Sequence, residues 1–179
     1  EIYDNAQLIS LQLSTIMKTQ LVKRLESSFR AFKKSLYRFY ISNQRMIEMF
    51  ENDKVFIAPD IDVNKFLDEG REDELEAKIE ELNAESPNNQ IFKASDFSEE
   101  YIKGLLKDQE VLLELYERWE NIGEDPKTKK FIAKIKKSFF NKKNIEKKLV
   151  IFSESKETVE YIAEELKNIG REDVLAISA

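Results

Sequence analysis

The chain has 179 residues, 36% of them charged and 41% hydrophobic, and a formal net charge of −6. It contains no Cys and no His, which excludes zinc sites of Cys/His type, thiol nucleophiles, disulfides and histidine general bases. No apolar run approaches the roughly 18 residues needed to cross a bilayer, and four Gly with three Pro leave room for long uninterrupted helices.

The first residues, EIYDNAQL, lack the basic-then-apolar layout of a secretory leader and carry no initiator Met. The expectation is an internal stretch of a longer protein, and the absence of Cys fits an intracellular one. Charge is strongly segregated. Residues 17–45 carry eight Lys/Arg against one acid, residues 60–85 eleven Asp/Glu against three bases, and residues 127–148 ten Lys against one acid. Such zones are solvated helix faces, or surfaces that track a polyanion such as nucleic acid.

In chain order, Val22, Leu25, Phe29, Phe32, Leu36, Phe39, Met46 and Phe50 step by three and four, with Asn43 holding one place in the stripe. The spacing predicts one helix over about 7–51, roughly 65 Å long at 1.5 Å per residue. The apolar spacing slips at Ser14–Thr15, a candidate break. Ser27 and Ser28 read as residues tolerated on a helix surface. Lys54–Ala58 reads as a strand or an extended link ahead of Pro59, and residues 71–85 as an acidic helix. SPNNQ (86–90) is a loop. Ser98 caps a second long helix with the stripe Ile102, Leu105, Gln109, Leu112, Tyr116 and Trp119, closed by Gly123. Two helices with the same seam period predict an antiparallel pair.

Asp125 and Pro126 open the next helix, which buries Phe131, Ile135 and Phe139 and ends at NKKN (141–144). Leu149–Phe152 is a continuous apolar run suited to a strand covered on both faces. Ser153 or Ser155 then caps a helix with the inner face Val159, Ile162, Ala163 and Leu166, Gly170 ends it, and Val174–Ser178 is a second strand. The fold class expected is mainly α. Long antiparallel helices, a hairpin or bundle over 1–124, precede a partial parallel α/β βαβ unit over 125–179. Two parallel strands leave open edges and a bare face, so the sheet is expected to lack its remaining strands.

No glycine is followed by Lys and Ser/Thr, so there is no Walker-type loop, and no GxGxxG occurs. Asp73-Glu74-Leu75-Glu76 has the letters of a magnesium-holding acidic box, but it lies in an acidic amphipathic helix and not at a buried strand end. Nothing in the sequence argues that this chain catalyses a reaction alone. Ser153, Ser155, Lys156 and Thr158 sit where a parallel strand hands over to a helix, the place where open α/β sheets bind ligands and where helix N-termini favour phosphates. Lys23 and Arg24 also suit phosphate contact; the plain alternatives are a helix cap and a solvated basic face.

LVKRLESSFRAFKKSL (21–36), then DPKTKKFIAKIKKSF (125–139) and KKLVIFSESKETVEYIAEEL (147–166), resemble bacterial Swi/Snf-type members of the superfamily-2 helicases and DNA translocases. The resemblance implies two RecA-like lobes with ATP and Mg2+ bound between them in the whole protein, and no cofactor in this stretch. It implies the helical insertion between the lobes, then the start of the second lobe, with Val150-Ile151-Phe152-Ser153-Glu154 as its motif IV. DNA is the implied partner, touched through its backbone without sequence choice, with the motif IV turn and its Ser153, Ser155, Lys156 and Thr158 near that backbone; Lys23 and Arg24 join them as candidates by their charge alone. The compartment implied is the bacterial cytoplasm, with no membrane partner. The alternative is a non-catalytic helical module that contacts protein, or that binds nucleic acid passively through Lys33, Lys34, Arg38, Lys134, Lys136 and Lys137. A dimer through the open sheet edge or the helical seam fits either.

Overall fold

A computed structural model describes residues 2–83, 88–139, 142 and 144–178, with side chains described for all of these except 2–13, 136 and 138. The loop expected at 86–90 and the helix end expected at 141–144 therefore fall partly outside the described residues, as does the side chain of Lys136. The protein is mainly helical, with one small antiparallel sheet among the described residues. It folds as two compact units, one made of 37–117 and the other of 1–36 with 118–179. That grouping by packing does not follow the division by sequence at 124/125.

The 37–117 unit takes most of helix α2 (Phe29–Glu51) and of helix α5 (Glu99–Glu120). They run antiparallel, as their shared period predicts: Tyr40 stacks on Tyr116 with ring centroids 6.2 Å apart, and further along Phe50 meets Tyr101 at 5.8 Å. The polar member of each stripe finds the other. Asn43 Nδ2 donates to Gln109 Oε1 and to the Leu105 carbonyl, both at 2.9 Å. One polar pair inside an apolar seam fixes register, because any slip leaves both amides without partners.

Strand β1 (Val55–Ile57) pairs with β2 (Gln90–Phe92) in the register Val55–Phe92, Phe56–Ile91 and Ile57–Gln90. Between them lie α3 (Val63–Asp68), capped by Asp62, and α4 (Glu72–Asn83). Phe50, Val55, Phe56, Leu75 and Ile79 form the core of this unit. The acidic helix thus keeps two buried apolar residues, Leu75 and Ile79, and its acids remain on the surface, where Glu72 and Glu76 reach Lys54.

The other unit holds α1 (Ile2–Ser27), the start of α2, α6 (Pro126–Lys134, prolonged by a π-helical turn over Ile135–Phe139) and α7 (Lys156–Asn168). Trp119 meets Phe29 and Phe32 edge-on, with centroids 5.1 and 4.6 Å away. Lys33 Nζ donates to the Glu120 and Ile122 carbonyls at 3.2 and 2.7 Å, a cation where a helix C-terminus favours one.

The single helix expected over 7–51 is two helices. The break falls at Ser28, not at Ser14–Thr15, and Ser28 is 1% exposed rather than on the surface. The Phe29 N–H donates to Asp125 Oδ2 at 2.9 Å instead of continuing the helix ladder, and Ser28 Oγ accepts from the Ala31 N–H at 3.1 Å as a new cap. Gly123 has no left-handed φ, so α5 closes at Glu120 without the glycine turn expected there, whereas Gly170 ends α7 at φ +85. Residues 149–152 and 174–178 form no ladder with each other or with β1 and β2 among the described residues.

Replacing Asn43 by Leu will leave Gln109 and the Leu105 carbonyl short of a donor, and should lower unfolding free energy by about 1–3 kcal/mol. Asn43→Leu combined with Gln109→Leu should recover most of that loss in urea melts and lose register specificity, seen as broadened amide spectra of α5.

Candidate functional site

Two of the three stretches on which the family resemblance rests, 21–36 and 147–166, meet in one hydrogen-bonded cluster within the unit of 1–36 and 118–179. Arg24, Ser27 and Ser28 come from the end of α1 and the break after it. Ser153, Ser155, Glu157 and Thr158 come from the turn into α7. Ser155 caps α7, its Oγ accepting from the Thr158 N–H at 3.4 Å, and its own N–H donates to Ser153 Oγ at 3.2 Å. Arg24 Nη1 donates to Ser155 Oγ at 2.9 Å and to Glu157 Oε2 at 2.8 Å, and Ser155 Oγ donates to the same carboxylate at 3.0 Å. Thr158 Oγ1 lies 2.7 Å from Ser27 Oγ and 2.8 Å from Ser28 Oγ.

Ser28, Ser155, Glu157 and Thr158 are all buried, so these bonds form away from water, where leaving any one unmade is costly. Among the described residues no buried side-chain nitrogen or oxygen lacks a partner. The start of α7, where a phosphate would sit on a strand-to-helix turn, is filled by the chain's own hydroxyl and carboxylate.

Beneath the cluster lies Asp125. Its Oδ1 accepts from the Lys127 and Thr128 N–H groups at 3.0 and 3.3 Å, which starts α6, while its Oδ2 takes the Phe29 N–H and starts α2. Lys127 Nζ donates in turn to the Glu26 and Ser27 carbonyls at the end of α1. Three cations of the first basic zone meet three acids of α7: Arg24 with Glu157, Arg30 with Glu164, and Lys34 with Glu160 at 3.7 Å. The hydrogen bond from Arg30 holds the Glu164 carboxyl below the usual carboxylate range and raises the Arg30 guanidinium. Burial pushes the Tyr161 hydroxyl up.

Of the six residues proposed for DNA contact, Arg24, Ser153, Ser155 and Thr158 come together in this cluster, whereas Lys23 and Lys156 are exposed beside it. Of the six cations offered for passive binding, Lys33 and Lys34 are engaged by the carbonyls and the Glu160 carboxylate described above, and the Lys136 side chain is outside the described residues. The buried partnership of Ser27, Ser28 and Glu157 and the second role of Asp125 escaped sequence reading. The signal available for them was the adjacent Ser-Ser inside a run of good helix formers, a pair that competes with the helix ladder as readily as it tolerates it. Among the described residues no group of three or more His, Cys, Asp or Glu is arranged to hold a metal ion.

No protein-family model matches this sequence, and no curated protein and no solved structure matches it.

Thr158→Val will remove the hydroxyl that Ser27 and Ser28 share and should cost about 1–3 kcal/mol in urea unfolding, while Ser28→Ala added to it should cost less than the sum of the two single changes. Asp125→Ala removes the acceptor at two helix starts at once and should cost about 2–4 kcal/mol, with Asp125→Asn losing less because an amide oxygen still caps one of them.

Proposed function

We propose that this chain is the inter-lobe helical segment and the opening of the second RecA-like lobe of a Swi/Snf-type DNA translocase, and that it couples the helical segment to that lobe. The observation that carries this reading is the hydrogen-bonded meeting of Arg24, Ser27 and Ser28 with Ser153, Ser155 and Thr158. These lie in the stretches 21–36 and 147–166 that resemble the family, the second carrying its motif IV turn, and 126 residues or more separate Ser27 from its Ser153 and Thr158 partners in the chain. Chance likeness in two short stretches gives no reason for them to share one buried network. In this reading the first stretch grips the motif IV turn, so a movement of either is passed to the other.

In this reading the DNA-contact residues divide by role. Arg24, Ser155 and Thr158 hold the turn, and Lys23 and Lys156, exposed beside it, face the duplex backbone. Phosphate contacts of this kind give affinity without sequence choice. ATP and Mg2+ belong to parts of the translocase outside this sequence, which has no phosphate loop.

The isolated chain should show no magnesium-dependent ATP turnover, and the chain joined to both lobes should hydrolyse ATP faster with duplex DNA present. A joined protein indifferent to DNA would end this reading. In the joined protein, Lys23→Gln with Lys156→Gln should weaken duplex binding and reduce the slope of log affinity against log salt by about 2, one for each phosphate no longer neutralised.

A further inference from the structure

The gap between α1 and α2 is narrow. The Ser28 N–H still donates to the Arg24 carbonyl at 3.1 Å, and the Phe32 N–H donates to the Ser28 carbonyl at 3.1 Å. A ladder continuous through Ser28 would send the N–H groups of Phe29, Arg30 and Ala31 to the carbonyls of Leu25, Glu26 and Ser27. Instead the Phe29 N–H goes to Asp125 Oδ2 at 2.9 Å and the Ala31 N–H to Ser28 Oγ at 3.1 Å. The Glu26 and Ser27 carbonyls take Lys127 Nζ. One carboxylate and one ammonium, two residues apart at the start of α6, thus occupy a donor and two acceptors of the same interruption. Side chains inserted into the ladder are a known cause of sharp helix kinks.

The sequence at the break carries no breaker of its own. No Gly or Pro occurs before Pro59, and Val22, Leu25, Phe29, Phe32 and Leu36 keep their three-four step across Ser28. A helix closed through Ser28 would therefore keep one apolar stripe in phase. The bonds to Asp125 and Lys127 are charge-assisted and stronger than the neutral backbone bonds they displace, so the wedge holds while it is seated. We infer that α1 and α2 form one switchable helix, held open at Ser28 by Asp125 and Lys127, which closes when the start of α6 withdraws. Closure turns the Ser27 and Ser28 hydroxyls back onto their own backbone and takes them from Thr158, so the open helix and the engaged α7 turn occur together. A ligand with different affinity for the two arrangements shifts the helix between them. The inference stands apart from the translocase reading, and neither nucleotide nor DNA enters its test.

The test reads the partner of the Phe29 N–H by scalar coupling across the hydrogen bond in the full, isotope-labelled chain. In the unmodified chain the Phe29 nitrogen should couple to the Asp125 carboxyl carbon, with a non-helical Ser28 Cα shift. Asp125→Ser with Lys127→Gln leaves a hydroxyl to cap α6 and removes both arms of the wedge. There the Phe29 nitrogen should couple to the Leu25 carbonyl carbon, the Ser28 shift should become helical, and the ratio of closed to open helix should rise at least about tenfold. Thr158→Val should move Ser28 the same way, at least about threefold. Lys129→Gln, which breaks an exposed pair with Glu124, should change neither reading. A Ser28 shift that stays non-helical in the double variant would place the break in the local chain and overturn the inference. Fast exchange of the Phe29, Arg30 and Ala31 amides there would also overturn it, making Asp125 a plain cap whose loss frays α2. If far-UV circular dichroism shows that the double variant loses α6, Thr158→Val decides, and an unmoved Ser28 overturns the inference.

Discussion

One buried carboxylate sets the unit that carries the candidate site. Asp125 accepts from Lys127 and Thr128 with one oxygen and from Phe29 with the other, so it caps α6 and starts α2 at the same time. Each helix start leaves backbone N–H groups without intrahelical partners, and an anion there is favoured by the aligned peptide dipoles. Two such starts converging on one carboxylate explain why a stretch rich in helix formers breaks at Ser28. Lys127 closes the arrangement from the other side by donating to the last carbonyls of α1.

The break has a direct consequence for polar chemistry. Inside a continuous helix the Ser27 and Ser28 hydroxyls would turn back onto their own backbone. At a helix junction they point outward, and there Thr158 joins them while Arg24 reaches Ser155 and Glu157. Every member of the cluster has a hydrogen-bond partner within it. In a saturated buried network no member moves without unmaking a costly bond. Charge behaves likewise: part of the first basic zone is neutralised by the acids of α7, and its net positive field is smaller than the sequence count of eight cations suggests.

In the 37–117 unit the same pairing of polar groups appears as register. Asn43 and Gln109 are the two polar interruptions of otherwise apolar stripes, and they bond to each other. The most exposed large apolar side chains among the described residues lie elsewhere. Val150, Phe152, Leu175 and Ile177 stand mostly in water, although their residue types belong to a covered sheet.

Periodicity, capping residues and composition were enough to mark α4, α5, α6 and α7, the antiparallel pairing of α2 with α5, and a serine cap at Ser153 or Ser155, of which the structure uses Ser155. The residues of the candidate site were legible one by one, as a signature and a turn. Their meeting was not, since hydrogen bonds across more than 120 residues leave no local period. Short β pairing at 55–57 with 90–92 was half legible: the first strand is apolar and precedes a proline, while QIF has no pattern of its own and becomes a strand only because Val55–Ile57 lies opposite. By itself the sequence determined which faces are apolar, where most helices start, and that no histidine or cysteine chemistry exists here. Only the tertiary structure decided that the first long helix breaks, because the decisive acceptor for the Phe29 N–H is a carboxylate 96 residues away.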